Sequence, residues 1–145
     1  MDKISFVIPT LNAQLGLVSC LKSIRSQNYS QNLIEIIISD GGSIDNTLKI
    51  AKKYKSTVIE NKLKTAEAGK AVGIKKATGK FIALIDSDNI LPDKDWIKEM
   101  LTPFKKPIIQ LSEPWSFTYR KNSGFIERYS SLIGANDPYA FVCGI

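Results

Sequence analysis

Apolar and polar positions alternate between two rhythms along the first hundred residues. Ile4-Ser-Phe-Val-Ile8 is a short β-rich run stopped by Pro9. Leu15, Val18, Cys20, Leu21 and Ile24 then fall at helical spacing, with Asn12 as the expected cap. Leu33 to Ile38 reads as a second strand, almost wholly apolar, as expected where both faces of a sheet are covered. Asp45-Asn-Thr47 opens a second helix through Leu48, Ile50, Ala51 and Tyr54, and Thr57-Val-Ile59 is a weak third strand. Ala68 to Ala77 is the third helix, with Gly79 expected to cap its end, and Phe81 to Ile85 is the clearest strand. Past Pro92 the rhythm loosens. Trp96–Leu101 predicts a helix, Ile108–Leu111 a short strand, and Phe125 to Leu132 an amphipathic helix.

Alternating strands and helices with continuous apolar strands predict an α/β fold. Its sheet is mostly parallel, with helices on both faces. In such sheets the ligand crevice lies outside the carboxyl ends of the strands. Three polar clusters fall there: Pro9-Thr10, Asp40-Gly-Gly-Ser43 and Asp86-Ser-Asp88.

The chain has 145 residues, 43% of them hydrophobic and 23% charged, enough for one domain with its own core. It has no histidine, which excludes within this chain a Ser-His-Asp triad, a Cys-His pair and a His-ligated zinc. A metal here would sit on oxygen ligands, as Mg²⁺ and Mn²⁺ do. Cys20 and Cys143 stand outside any CxxC spacing and read as buried, reduced thiols. With no secretory signal and no apolar run of membrane-spanning length, the setting expected is cytoplasmic, or at the cytoplasmic face of a membrane.

The net charge of +6 is uneven. Ten lysines face only Glu60 and Glu67 between Lys49 and Lys80. Such a segment is either a solvated face or a surface for an anionic substrate or membrane, so peripheral membrane association is one expectation. Nucleic acid is not expected as a partner, with three arginines and no RNP-like or zinc-finger spacing.

Two acids one residue apart on a turn need a cation, a hydroxyl or solvent, so Asp86 and Asp88 read either as metal ligands or as an ordinary capping turn. The paired glycines after Asp40 permit close backbone approach to a ligand, or form a simple glycine turn. A DxD after an apolar strand also occurs in haloacid-dehalogenase-type phosphatases. There it usually follows the first strand, whereas here it follows the fourth, and Asn89 stands where Thr or Val is expected. A Rossmann dinucleotide site is disfavoured, since no GxGxxG follows the first strand.

Three segments in order carry a family resemblance. They are Phe6-Val-Ile-Pro-Thr-Leu-Asn12, Ile36-Ile-Ile-Ser-Asp-Gly-Gly-Ser-Ile-Asp-Asn-Thr47 and Gly73-Ile-Lys-Lys-Ala-Thr-Gly-Lys-Phe-Ile-Ala-Leu-Ile-Asp-Ser-Asp88. Together they resemble the family 2 glycosyltransferases over residues 4 to 92. Gly41 stands where many members carry a second acid, and Ala71 where an asparagine is usual. The resemblance implies a Rossmann-like GT-A fold that takes a sugar from a UDP- or GDP-linked donor. The transfer would be inverting and metal-dependent, with Mg²⁺ or Mn²⁺ as the ion.

The substrate-binding set it implies is Pro9, Thr10, Asn12, Asp40, Gly42, Lys70, Asp86 and Ser87. Asp40 would meet the base, Thr10 the nucleotide pocket, Asp86 the ribose and Lys70 a phosphate, while Asp88, with Asp86, would hold the metal. The acceptor would be saccharide or lipid-linked. Its general base is expected among Glu113, Glu127 and Asp137, with Asp137 favoured on its turn before Pro138. The domain expected is a single catalytic one over 1–145, divided into a nucleotide-sugar-binding half (1–92) and the start of an acceptor half (93–145). The unpolar ending Gly144-Ile145 suggests truncation at the C-terminus. A non-catalytic nucleotide-sugar-binding module is the alternative.

Overall fold

The computed structural model describes residues 1–112. Two compact units divide the chain, Met1–Glu99 and Met100–Ile145. The first is built from β1 (Ile4–Thr10), α1 (Gln14–Arg25), β2 (Ile34–Asp40), α2 (Thr47–Lys53), β3 (Thr57–Glu60), α3 (Ala66–Lys76) and β4 (Phe81–Leu84), and α4 (Trp96–Leu101) runs across its end. The four strands form one parallel sheet in the order β3-β2-β1-β4. Right-handed crossovers in that order place α1 and α2 on one face and α3 on the other.

The two central strands explain their own composition. Every residue of β1 is buried, and Phe6, Val7 and Ile8 are fully inaccessible. Burial on both faces is what a continuous apolar strand reports. Phe6 also meets Trp96, with ring centroids 6.5 Å apart. Truncating such a side chain typically costs about 3–5 kcal/mol. The outer strands are short and partly exposed, as edges usually are.

Several expected details differ. The buried stripe of α1 is Leu17, Cys20, Leu21 and Ile24, while Leu15 and Val18 face solvent. Asn12 does not cap α1, because it adopts a left-handed backbone (φ 51°) and the cap position is Ala13. α3 starts two residues early, at Ala66, where the Thr65 hydroxyl accepts the Ala68 N–H at 3.2 Å. The side it buries consists of Gly69 and Gly73, so no apolar stripe announces it. A Cβ at Gly73 would fall 2.2 Å from Val7 Cγ1, which shows how closely the helix lies on the sheet.

α3 ends at Ala77 in extended backbone, and Gly79 is not its cap. Gly79 instead passes against β1, where a Cβ would lie 2.7 Å from the Ser5 nitrogen. Ser5 answers by accepting the Gly79 N–H at 2.8 Å.

The described part of the second unit holds the end of α4 and a 3-10 turn at Pro103–Lys105. Ile108–Leu111 is not a strand, and Ile108 and Leu111 are exposed. The expected helix at Phe125 to Leu132 and Cys143 lie outside the described residues. Cys20 is a free, buried thiol, as expected.

Candidate functional site

All four strands run the same way, so the loops after β1, β2, β3 and β4 share one edge of the sheet. Two clusters form there, and α3 serves both.

The first cluster is built on Asp40, the last residue of β2, which is only 6% exposed. Its Oδ1 accepts the Thr10 hydroxyl at 2.8 Å and the Ser43 hydroxyl at 2.6 Å. Its Oδ2 accepts the N–H groups of Gly42 at 2.9 Å and Ser43 at 2.8 Å. A carboxylate offers about four lone-pair sites, and here all four are filled. Burial pushes the Asp40 pKa up, but Ser43, Thr10 and Gly42 outweigh it and hold the group below its ordinary value. Gly42 sits at φ 97°, a conformation that glycine alone adopts without strain, and this lets the turn wrap the carboxylate.

The neighbouring loop is clasped to this turn. The Asn12 N–H donates to Ser43 Oγ at 2.8 Å, and Asn12 Oδ1 accepts the Ile44 N–H at 2.9 Å. Two further residues cap α1 from across the loop. Thr47 Oγ1 accepts the Ala13 N–H at 2.8 Å and Asp45 Oδ2 the Gln14 N–H at 3.1 Å. These satisfy donors that a helix N-terminus otherwise leaves open. Pro9 faces α3, with its Cβ 2.9 Å from where a Gly69 side chain would begin.

The second cluster is the turn after β4. It is closed by Asn89, whose Oδ1 accepts the Asp86 N–H at 2.8 Å and whose N–H returns to the Asp86 carbonyl at 3.1 Å. Lys70 reaches from α3 to Asp86 Oδ1 at 2.9 Å. Ser87 is half-buried, and its carbonyl faces Gly16 of α1. Asp88 is exposed, and its carboxylate has no hydrogen-bond or ion-pair partner among the described residues. Beneath the turn, burial and then the charges of Asp88 and Asp86 push the Cys20 thiol up to about 12. That thiol is inert at ordinary pH.

Among the described residues, no three His, Cys, Asp or Glu side chains gather into a metal cage. A cation at Asp86 and Asp88 would therefore take the rest of its oxygen ligands from phosphate and water. An all-oxygen set of that kind, one or two carboxylates plus phosphates, is what Mg²⁺ and Mn²⁺ accept. The free Asp88 carboxylate fits such an ion.

The structure thus gathers Pro9, Thr10, Asn12, Asp40 and Gly42 in one cluster and Lys70, Asp86, Ser87 and Asp88 in the other. Asp137, Glu113 and Glu127 lie outside the described residues. Sequence reasoning passed over Gly16 and Asn61. The Asn61 N–H donates to the Asp40 carbonyl at 2.8 Å, its side chain donates to the Thr65 carbonyl at 2.8 Å, and its Oδ1 is buried without a partner among the described residues. The only signal for it was its place directly after β3.

A parallel α/β sheet thus carries a turn-wrapped carboxylate and an exposed acidic pair on one edge. Its sequence matches Glycosyl transferase family 2 over residues 5–138, and the chain belongs to that family. It is 34% identical to a dolichyl N-acetyl-alpha-D-glucosaminyl phosphate 3-beta-D-2,3-diacetamido-2,3-dideoxy-beta-D-glucuronosyltransferase of Methanococcus voltae, over 79% of this chain and 37% of that protein. Its fold is similar to S. aureus TarS 1–349 in complex with UDP-GlcNAc (TM-score 0.59, 27% identity, 67% of this chain and 29% of that one). It is also similar to Mycobacterium tuberculosis glucosyl-3-phosphoglycerate synthase in complex with Mn²⁺, UDP and glucosyl-3-phosphoglycerate (TM-score 0.55, 25% identity, 71% and 39%). The expected GT-A fold is thereby borne out, and the phosphatase reading falls. The chain spans less than half the length of the curated relatives it matches. No helix among the described residues is long and apolar enough to cross a membrane.

Proposed function

We propose that this chain is the donor-binding part of a metal-dependent glycosyltransferase that takes its sugar from a UDP- or GDP-linked donor. The observation that carries the reading is the pairing of a finished cradle with an unfinished one on a single edge. The Asp40 turn is prebuilt for the nucleoside. In this reading Thr10, Asn12 and Pro9 line it, and Asp40 takes a donor N–H of the base by sharing a lone-pair site now held by Ser43 or Thr10. Asp88 and Asp86 hold Mg²⁺ or Mn²⁺ against the diphosphate. The ion supplies a Lewis acid for the charge that develops on the departing nucleoside diphosphate. Lys70, already 2.9 Å from Asp86, turns to a phosphate oxygen and adds a second positive charge.

The acceptor in this reading is a saccharide or a lipid-linked sugar, and the Methanococcus voltae relative, named for transfer to a dolichyl phosphate sugar, favours the latter. Residues 1–92 would form the donor half and 93–145 the start of the acceptor half. The base that takes the acceptor proton would come from Asp137, Glu113 or Glu127. A cytoplasmic location, at the membrane face, suits such an acceptor.

Calorimetric titration with UDP- and GDP-sugars, in Mn²⁺ and in chelator, tests the reading. Donor binding that strengthens with metal supports it, while equal affinity in both removes the metal. A non-catalytic module would bind donor in the same way but leave it unconsumed with every acceptor offered.

A further inference from the structure

The turn that carries Asp86 and Asp88 does not stand free. It rests on the first turns of α1. An ideal Cβ at Gly16 would lie 3.0 Å from both Cα and Cβ of Asp88 and 3.2 Å from the Ser87 carbonyl oxygen. One turn further along, the Cys20 thiol donates to the Asp86 carbonyl at 3.8 Å. The bare backbone of Gly16 is therefore the seat on which Ser87 and Asp88 lie.

A side chain there would force one partner to yield. α1 is poorly able to do so. Leu17, Cys20 and Leu21 are fully buried beneath it, and Thr47 and Asp45 hold its N-terminus from the next loop. The turn, by contrast, has exposed carboxylates and is closed on itself by Asn89. It would move as a unit, and Asp88 would move with it.

We infer that Gly16 is a positioning residue: its missing side chain fixes where Asp88 stands, and so fixes how well the site holds a divalent cation against a nucleoside diphosphate. The inference rests on the donor-site reading above. The displacement that one methyl group demands is a few tenths of an ångström, comparable with the ±0.2 Å within which metal–ligand distances are held. Alanine is also a better helix former than glycine, so the substitution does not weaken α1 itself.

The test uses Gly16→Ala and Gly16→Val, with Gly79→Ala as a steric control at the opposite end of the sheet. A Cβ at Gly79 would lie 2.7 Å from the Ser5 nitrogen, so that variant stresses the fold without approaching Asp88. Three readouts are taken on each protein: thermal unfolding, calorimetric affinity for UDP with and without Mn²⁺, and water-proton relaxation by Mn²⁺ in the presence of UDP. The expected result is that Gly16→Ala folds and binds UDP in chelator as the unmodified protein does. It should lose about tenfold or more of the gain that Mn²⁺ confers, an amount typical of disturbed ligand support. Gly16→Val should lose more, and Gly79→Ala should lose stability but none of the gain. A folded Gly16→Ala with its full Mn²⁺ gain overturns the inference, and so does an equal loss in Gly79→Ala. If the unmodified protein gains nothing from Mn²⁺, the donor-site reading fails first and takes the inference with it.

Discussion

The two clusters on the functional edge are opposites in how far they are finished. Around Asp40, every lone pair has a donor and the residues that supply them lie on interlocked loops. Around Asp86 and Asp88, two carboxylates stand exposed, with Lys70 their one charged partner among the described residues. A saturated polar network is rigid and keeps its shape without ligand. An unsaturated acidic pair is affordable only in water and waits for a counter-charge. The contrast teaches that the first cluster is a preformed shape, whereas the second, in the proposed function, would gain its strength only on occupation. It follows that the two should respond differently to mutation, metal and pH.

The largest effect is expected from Asp88→Ala. Removing a ligand should cost at least the 10–100-fold that loss of a mere supporting group typically costs, so UDP affinity in Mn²⁺ should fall by about 100-fold or more. Because the side chain has no partner among the described residues, the melting temperature should stay unchanged. Calorimetry and thermal unfolding on the same preparation check both halves.

Asp40→Asn should show the reverse profile. Four donors now meet an amide that accepts at one end only. The loss should be about 1.5–3 kcal/mol in stability, with weaker nucleoside binding even in chelator. The pH dependence has a fixed sign. The folded pKa of Asp40 is depressed, so the stability it contributes is present above the ordinary carboxylate pKa and is lost as pH falls through the folded value. Asp40→Asn should therefore unfold with less dependence on acid than the unmodified protein does, which denaturant titrations between pH 7 and 3 would measure.

A smaller effect sharpens the comparison from the other end of the sheet. Glu35 accepts Lys3 Nζ at 3.0 Å, the Thr78 N–H at 2.9 Å and the Thr78 hydroxyl at 2.7 Å, besides the Ser5 hydroxyl. Burial raises its pKa, but these bonds outweigh it and bring the group from 4.5 to about 2. The stability it supplies should be complete above pH 4.5 and fade as pH drops toward 2. Glu35→Gln should lower the melting temperature at pH 7 and leave UDP binding untouched. A change in the Mn²⁺-dependent gain would show that the two ends of the sheet are coupled.

Lys70→Ala should have a small effect on the free protein. An exposed ion pair contributes about 0–1 kcal/mol, so stability should barely move. UDP affinity should still fall if Lys70 turns to a phosphate, and no fall would leave Lys70 as a partner of Asp86 alone.

What could be read from the sequence follows from where each signal originates. β1 and β2 were readable because Phe6 and Ile36 to Ile38 lie in runs whose composition records burial directly, and β4 because its run is rich in strand-favouring residues although it is partly exposed. Asp40, Asp86 and Asp88 were readable because an acid just past an apolar strand stands out. α3 was placed late because its buried side is Gly69 and Gly73, which add nothing to a hydrophobic pattern. Ile108–Leu111 misled for the converse reason, since apolar residues can also be exposed. The caps of α1 were hidden because Asp45 and Thr47 reach it from more than thirty positions away. Gly16 was hidden because its contribution is an empty volume, and that becomes visible only with Asp88 in place.

The central claim is that the Asp40 turn binds the nucleoside and the Asp86–Asp88 turn binds the metal and diphosphate, each on its own. The most direct measurement is a calorimetric double-mutant cycle on Asp40→Asn and Asp88→Ala, titrating uridine and UDP with and without Mn²⁺. The account predicts that Asp40→Asn weakens both ligands in either condition, that Asp88→Ala removes only the Mn²⁺-dependent gain for UDP, and that the two effects add to within about 0.5 kcal/mol. Loss of uridine binding in Asp88→Ala, or retention of the Mn²⁺ gain in it, would contradict the account.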